Sequence, residues 1–124
     1  MTNNVLVLNK KQCDVLIRSL RGKGADPFLG PVVRQARRFG GPLILSISQL
    51  GSLLGHLEAN EAWTIWMLKE IYDKVVEIKL QTEREANVKK TLLVDGRVKI
   101  TDGITTIVRP LMHYEKEELR RYRQ

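Results

Sequence analysis

The sequence predicts a mixed α/β protein, an α+β sandwich in which short strands and helices alternate. Three features predict it: apolar runs of strand length, apolar residues that recur every three or four positions between those runs, and an Asp-Gly turn between β-branched segments. The 124 residues are enough for one domain with its own core. We therefore expect a single domain over residues 1–124, with elements in the order β-α-β-α-β-β and an extended β-hairpin.

The chain begins with a strand and a helix that meet at two lysines. The run VLVL at residues 5–8 has strand length, and Asn9 is a good N-cap for the helix that follows. Lys10 and Lys11 come directly after this cap, where a helix N-terminus already carries partial positive charge. The pair is either a solvated turn or an anion site that the helix N-terminus completes.

A basic insert follows the first helix, over residues 22–42. Asp26 can cap a segment with one apolar stripe, formed by Leu29, Val32, Val33, Ala36 and Phe39. We expect a short basic helix or a loop with a helical end, with Arg34, Arg37 and Arg38 on the side opposite the stripe. Those arginines can then contact phosphates without supporting the core.

The stretch PLILSIS predicts a second buried strand followed by a serine cap. A helical period then extends over residues 49–72, and Asn60 can interrupt it. Trp63 and Trp66 are three positions apart and share a helical face, where core packing or a subunit contact fits better than base stacking. This face carries more apolar surface than one helix buries. We therefore expect a homodimer contact at Trp63, Trp66, Met67 and Ile71.

The last third of the chain predicts mainly β structure. Apolar and polar residues alternate over residues 76–80, which indicates a strand with one buried face. Asp95-Gly96 lies between apolar runs and predicts a hairpin, and ITTIVRP predicts a final strand. Residues 113–124 are highly charged and predict a C-terminal helix.

The sequence offers little catalytic chemistry. His56 and His113 are far apart, no His or Cys pair has metal-ligand spacing, and there is no glycine-rich phosphate loop or serine elbow. We expect no enzymatic activity, metal, cofactor or small-molecule substrate, with His56 as a hydrogen-bonded helix histidine and Cys13 as a buried, inert thiol. No apolar stretch approaches the roughly 18 residues that span a bilayer, and no leader pattern precedes the first strand. A cytoplasmic protein without a membrane partner is expected.

Charge is the most informative feature of the composition. There are 21 Lys and Arg against 14 Asp and Glu, a formal net charge of +7. Residues 1–57 carry 8 basic and 2 acidic side chains, residues 58–87 carry 4 and 7, and residues 88–124 carry 9 and 5. Positive charge at both ends of the chain favours a polyanionic partner such as DNA or RNA.

Three segments resemble the Alba family of small archaeal chromatin and RNA-binding proteins. NVLVLNKK is similar to the first strand and lysine-bearing turn of that family, DKVVEIKL to its third strand, and VDGRVKITDGITTIVRP to its hairpin arm and final strand. The resemblance implies a dimer that lays its lysine turns and hairpin arms along nucleic acid. The chain departs from the family at Asn9, where glycine is usual, at the missing proline after the lysines, in the insert 22–42 and in its acidic second helix.

Charge and resemblance together predict a basic protein that contacts the phosphate backbone of DNA or RNA with little sequence specificity. The residues expected to bind nucleic acid are Lys10, Lys11, Arg34, Arg37, Arg38, Lys89, Lys90, Arg97 and Lys99. One alternative is a small interaction or regulatory protein, viral or phage-borne, that binds an acidic protein partner. Another is a winged helix-turn-helix regulator, which fits poorly because its recognition helix would present Glu58, Glu61 and Glu70 to DNA.

Overall fold

The computed structural model describes residues 4–122, with side chains for residues 4–119. The chain divides into two compact units, Met1–Lys79 and Leu80–Gln124, where the sequence predicts one domain. The elements in chain order are β1 (Asn4–Leu6), α1 (Lys10–Ser19), α2 (Leu29–Phe39), β2 (Leu43–Leu45), α3 (Ile47–Ala59), a short 3-10 helix (Ala62–Thr64), α4 (Trp66–Glu85), β3 (Lys89–Leu92), β4 (Arg97–Thr101), β5 (Thr106–Pro110) and α5 (His113–Tyr122). The predicted α+β class is confirmed.

The first unit contains a two-stranded antiparallel sheet packed against helices. β1 pairs with β2, which places Leu6 opposite Leu43 and Val5 opposite Ile44. Because side chains alternate along a strand, the two leucines are buried and the other pair is exposed. Helix α2 contacts α1, α3 and β2, and each of these elements contributes buried apolar side chains to the core. Full burial of each leucine contributes about 1.5–3 kcal/mol.

Two capping boxes fix the starts of α1 and α3. The Asn9 side chain accepts a hydrogen bond from the Gln12 N–H at 2.8 Å, and the Gln12 side chain accepts one from the Asn9 N–H at 3.1 Å. Ser46 and Gln49 make the same reciprocal pair at the start of α3. Both predicted caps are confirmed, and the lysine pair forms the first two residues of α1.

The insert contains helix α2, which agrees with the first of the two predicted arrangements, a short basic helix. The Asp26 carboxylate accepts hydrogen bonds from the N–H groups of Phe28 and Leu29, both at 2.9 Å. Four residues of the predicted apolar stripe are buried: Leu29, Val32, Val33 and Ala36. The fifth, Phe39, is exposed because it ends the helix, and the chain then turns at Gly40 with a φ of 60°.

The predicted strand at residues 76–80 is wrong, because this stretch lies inside α4. Of its alternating apolar residues, only Ile78 continues the helical stripe in which Ile71 and Val75 are buried. The intervening Glu, Lys and Gln residues are good helix formers, which favours the helix over the strand. The helix predicted over residues 49–72 is interrupted at Asn60, whose N–H donates to the His56 carbonyl at the end of α3.

The second unit contains an antiparallel sheet in the order β3-β4-β5. The predicted hairpin at Asp95-Gly96 is confirmed, and Gly96 adopts a φ of 88° that favours glycine. The turn between β4 and β5 is held by the Asp102 carboxylate, which accepts hydrogen bonds from the N–H groups of Ile104 and Thr105. Val98 at the centre of the sheet is buried.

The predicted C-terminal helix is present as α5 (His113–Tyr122), and residues 123–124 of that prediction lie outside the described residues. Over the described range, none of the helices combines the length and the apolar character that crossing a membrane requires.

Candidate nucleic-acid interface

One face of the β3-β4-β5 sheet is open and basic. The pairing places Lys89 opposite Thr101 and Thr91 opposite Lys99, and Lys99 is in turn opposite Val108. Because these positions alternate with inward-facing ones, they project from the same side of the sheet. We call this side the outer face; its residues are Lys89, Thr91, Arg97, Lys99, Thr101, Thr106, Val108 and Pro110.

Three of the predicted binding residues, Lys89, Arg97 and Lys99, therefore lie on a single surface. Lys89 and Lys99 are diagonal neighbours on adjacent strands, a relationship in which residues lie about 7–8 Å apart. Neither lysine forms a salt bridge within residues 4–119. Two unneutralised lysines on neighbouring strands add their positive charges at one place on the surface, which suits an anion such as a phosphate.

Arg97 is partly neutralised by the hairpin turn. Its Nε lies 2.7 Å from Asp95 Oδ2, and its backbone N–H donates to Asp95 Oδ1 at 3.1 Å. The backbone hydrogen bond and then the guanidinium hold the pKa of Asp95 below its ordinary value. Asp95 thus remains ionised over the physiological range and reduces the positive charge that Arg97 presents.

Lys90 lies on the opposite side of the same strand, although the sequence predicts it as a phosphate contact. Its Nζ is 2.8 Å from Glu83 Oε2 and 2.8 Å from Glu115 Oε2, and its side chain is only 13% exposed. Burial alone lowers the pKa of Lys90, but hydrogen bonds to Glu115 and Glu83 raise it above its ordinary value. The ammonium is committed to carboxylates, so we leave Lys90 out of the candidate interface.

Glu115 connects Lys90 to the last strand. Arg109 on β5 forms a bidentate pair with it, with Nη1–Oε1 at 2.5 Å and Nη2–Oε2 at 2.8 Å. The Met112 N–H also donates to this carboxylate at 3.0 Å. Burial alone raises the pKa of Glu115. The hydrogen bonds from Arg109 and Lys90 lower it by more than burial raises it, so the pKa of Glu115 lies below its ordinary value. The charged cluster, defined as Glu83, Lys90, Arg109, Tyr114, Glu115 and Glu118, thereby joins β3, β5, α5 and the end of α4.

The other predicted basic residues lie in the first unit, in two groups. Lys10 and Lys11 are exposed in the first turn of α1 and form no salt bridge among the described side chains. The three arginines of the insert are exposed on α2, away from its buried stripe, as predicted; they are Arg34, Arg37 and Arg38. Each group presents a compact positive surface of its own.

The four residues predicted at a dimer contact differ in exposure. Ile71 is fully buried in the core of the first unit, because it lies on the inward stripe of α4. Trp63 is half-buried with its ring 5.7 Å from that of Tyr72, at an interplanar angle of 56°. Trp66 is 72% exposed and Met67 is half-buried. The homodimer stays a prediction, and of its four residues only Ile71 has no exposed surface to contribute.

His56 has the hydrogen-bonded structural role that the sequence predicts. Its Nε2 lies 3.0 Å from both Ser19 Oγ and the Ser19 carbonyl oxygen, and its Nδ1 lies 3.4 Å from Asn60 Nδ2. A carbonyl only accepts hydrogen bonds, so Nε2 carries the proton and cannot serve as a base for the Ser19 hydroxyl. Within residues 4–122, no group of three or more His, Cys, Asp or Glu side chains is placed to hold a metal ion.

Sequence reasoning missed the threonines of the outer face and the charged cluster behind it. Thr91, Thr101 and Thr106 could have been found by extending the strand alternation of Arg97 and Lys99 to the neighbouring strands. The cluster gave no local signal, because Lys90 and Glu115 are distant in sequence.

No family model, curated protein or solved structure matches the chain. The Alba resemblance therefore stays a prediction. One of its three segments, DKVVEIKL, is helical, whereas the family has a strand there. The segment predicted as a hairpin arm and final strand, residues 94–110, forms β4 and β5, and β3 lies before it in the chain.

Proposed function

We propose that the protein binds DNA or RNA through the phosphate backbone, with little sequence specificity, and that the outer face is the principal contact surface. One observation carries the proposal: Lys89, Arg97 and Lys99 share an exposed sheet face, while the carboxylates of Glu83 and Glu115 lie in the charged cluster on the other side. Those carboxylates are paired with Lys90 and Arg109, so they do not neutralise Lys89 and Lys99, and the outer face keeps a net positive charge although Asp95 offsets part of that of Arg97.

The neighbouring side chains suit phosphate rather than base recognition. Thr91 and Thr101 offer hydroxyl groups beside the lysines, Thr106 donates its own to Thr101 Oγ1 at 3.2 Å, and hydroxyls commonly donate to phosphate oxygens. Lysine is a flexible point charge that follows a phosphate without fixing base geometry. Weak sequence preference and strong salt dependence are therefore expected.

The two basic groups of the first unit are proposed as additional phosphate contacts. Lys10 and Lys11 lie at the N-terminus of α1, where unpaired N–H groups add to their positive charge. We also propose a chromatin- or RNA-associated role, as in the Alba family; the homodimer predicted from the sequence is kept only as the alternative use of the surface around Trp66.

A winged helix-turn-helix function is less well supported. The order α3, α4, β3 and β4 is that of two helices followed by a hairpin, but α4 exposes Glu70, Asp73 and Glu77. A helix with these carboxylates on its surface is repelled by DNA. An acidic protein partner, the other alternative, would bind the same basic surfaces. The binding experiment below distinguishes it from nucleic acid.

The proposal is tested by measuring Kd for an RNA and for a duplex DNA of about 20 base pairs, a length we choose for the test. Salt is varied between about 50 and 200 mM, a range over which 6–10 phosphate contacts change affinity by about 10³- to 10⁵-fold. In Lys89→Ala/Lys99→Ala the slope of log affinity against log salt for duplex DNA should fall by up to about 1.8, since each phosphate contact contributes about 0.9. The control is Lys23→Ala/Lys116→Ala, which removes two other exposed lysines and the same net charge.

An equal loss of slope in both double variants would show that net charge, rather than the outer face, determines binding. A parent protein that binds neither nucleic acid at 50 mM salt would overturn the proposal and leave the acidic protein partner as the remaining binding function.

A further inference from the structure

Trp66 is a large aromatic side chain that the first unit does not bury. It is the first residue of α4 and is 72% exposed, whereas Trp63 packs against Tyr72 nearby. The indole lines two hollows. One, of about 100 Å³, is also lined by Asn9, Lys11, Gln12, Val15, Met67 and Glu70. The other, open and about 520 Å³, is also lined by Val15, Arg18, Ser19, Asn60, Ile65, Met67 and Leu68.

The two hollows form a groove between α1 and the start of α4, with a basic residue in each. Lys11 and Arg18 are seven residues apart on α1, which is about 10 Å along the helix axis, and Val15 lies between them. Both basic side chains are exposed, and neither forms a salt bridge among the described residues. The carboxylate of Glu70 accepts a hydrogen bond from Gln12 Nε2 at 3.1 Å.

We propose that this groove binds an unpaired nucleobase stacked on the Trp66 indole, with the flanking phosphates at Lys11 and Arg18. The inference rests on the proposed function and adds a site for an unpaired strand in the first unit, beside the phosphate contacts proposed for the outer face. Bases within a duplex are stacked on each other and expose only their edges, so an indole at the surface of a groove cannot reach their faces. A single strand offers both the free base and the phosphate charge.

Charge favours this occupant over a second copy of the chain. A symmetric contact centred on Trp66 would bring four cations, Lys11 and Arg18 from each copy, against two Glu70 carboxylates, because an isologous interface presents the same surface from both subunits. Like charges brought together in this way disfavour association. A nucleic acid instead supplies the opposite charge beside the aromatic contact.

The test uses a Trp63→Phe background, in which Trp66 is the remaining tryptophan. This protein is titrated with a 15-residue oligothymidylate (a length we choose for the test), with a duplex of the same length and with heparin, a polyanion that has no bases. We expect the oligothymidylate to quench Trp66 emission and heparin to leave it unchanged. Trp66→Ala should lose roughly 5- to 100-fold in affinity for the single strand, Trp66→Phe should retain most of it, and affinity for heparin should change less than twofold.

Each alternative outcome is decisive. A single strand that binds tightly without quenching Trp66, and equally well to Trp66→Ala, overturns the stacking site but leaves the proposed function standing. A parent protein that binds none of the nucleic acids removes both. A parent dimer that becomes a monomer in Trp66→Ala, measured by sedimentation, assigns the indole to a subunit contact instead. If Trp66→Ala fails to fold by circular dichroism, the quenching data and Trp66→Phe decide the question.

Discussion

Lys89 and Lys90 are adjacent in β3, yet one side chain is exposed on the outer face and the other is held between Glu83 and Glu115 on the opposite side of the sheet. Because side chains alternate along a strand, these two neighbouring lysines lie on opposite faces of the sheet. Lys90 stabilises the second unit, and Lys89 is free to contact a ligand.

Lys90→Met should therefore destabilise the second unit by about 1–3 kcal/mol, because Glu83 and Glu115 each lose a charged hydrogen-bond partner, while Arg109 still pairs with Glu115. Glu115 is 1% exposed and cannot recover its charge interactions from water. Lys89→Met is the matched control and should change stability by less than about 0.5 kcal/mol. Hydrogen exchange measured over residues 80–119 reports both effects, and equal protection in the two variants would contradict the assignment.

Acid should weaken the second unit through Glu115. The folded protein holds the pKa of this carboxyl below its ordinary value of 4.5, so the unfolded chain takes up protons first as the pH falls. The stabilisation is present above pH 4.5 and is lost as the pH falls through the lower folded pKa. Burial raises the pKa of Glu118, which opposes part of the effect. Urea unfolding at several pH values, compared between the parent and Glu115→Gln, isolates the contribution, which should disappear in the variant.

His56 gives the first unit its own pH dependence. Burial lowers the pKa of this imidazole below 6.5, although the hydrogen bond to Ser19 opposes the shift. The unfolded state therefore binds a proton at a higher pH than the folded state, and stability should decrease as the pH falls below 6.5. Thermal unfolding between pH 7 and pH 5 should show this decrease in the parent. His56→Gln should show a smaller one, and an identical decrease in both would contradict the assignment.

Local signals in the sequence were sufficient for the caps and the hairpin. Asn9 and Ser46 act within one helical turn, and Asp95-Gly96 forms a turn from its own backbone preferences. Residues 76–80 were misassigned because Val76, Ile78 and Leu80 alternate as in a strand, whereas Ile78 also continues the helical stripe of Ile71 and Val75. Only packing against the rest of the unit distinguishes the two.

The sequence predicts which basic residues belong to the candidate interface, but not which face of the sheet each side chain occupies. Alternation shows that Lys89 and Lys90 project oppositely, but which of them points inward depends on Glu83 and Glu115, which are distant from them in sequence. The exposure of Trp66 was missed for a related reason. The chain leaves the helical path between α3 and α4, so the two tryptophans do not share the face that their spacing predicts.

Two glycine substitutions in the first unit should have opposite effects. A Cβ at Gly30 would lie 2.5 Å from the Gly24 carbonyl oxygen, so Gly30→Ala requires a backbone shift and should cost about 1–3 kcal/mol. A Cβ at Gly55, on the exposed side of α3, meets nothing within 4 Å. Gly55→Ala should therefore stabilise by about 0.5–1 kcal/mol, since alanine loses less conformational entropy in a helix. Urea unfolding followed by circular dichroism gives both values, and the same sign for the two would show that the close approach of Gly24 is not maintained in solution.

Release of Arg97 from Asp95 should strengthen nucleic-acid binding. In Asp95→Asn the amide oxygen can still accept the hydrogen bond from the Arg97 N–H, which keeps the turn, but the negative charge beside the guanidinium is lost. Arg97 then presents its full charge on the outer face next to Lys99. For duplex DNA the slope of log affinity against log salt should become steeper by up to about 0.9, the contribution of one additional phosphate contact. Asp102→Asn is the control. Asp102 accepts hydrogen bonds from backbone N–H groups in the other turn of the sheet, so its substitution removes the same charge without releasing an arginine. An equal gain in both variants would mean that net charge alone acts. A gain confined to Asp95→Asn places a phosphate at Arg97.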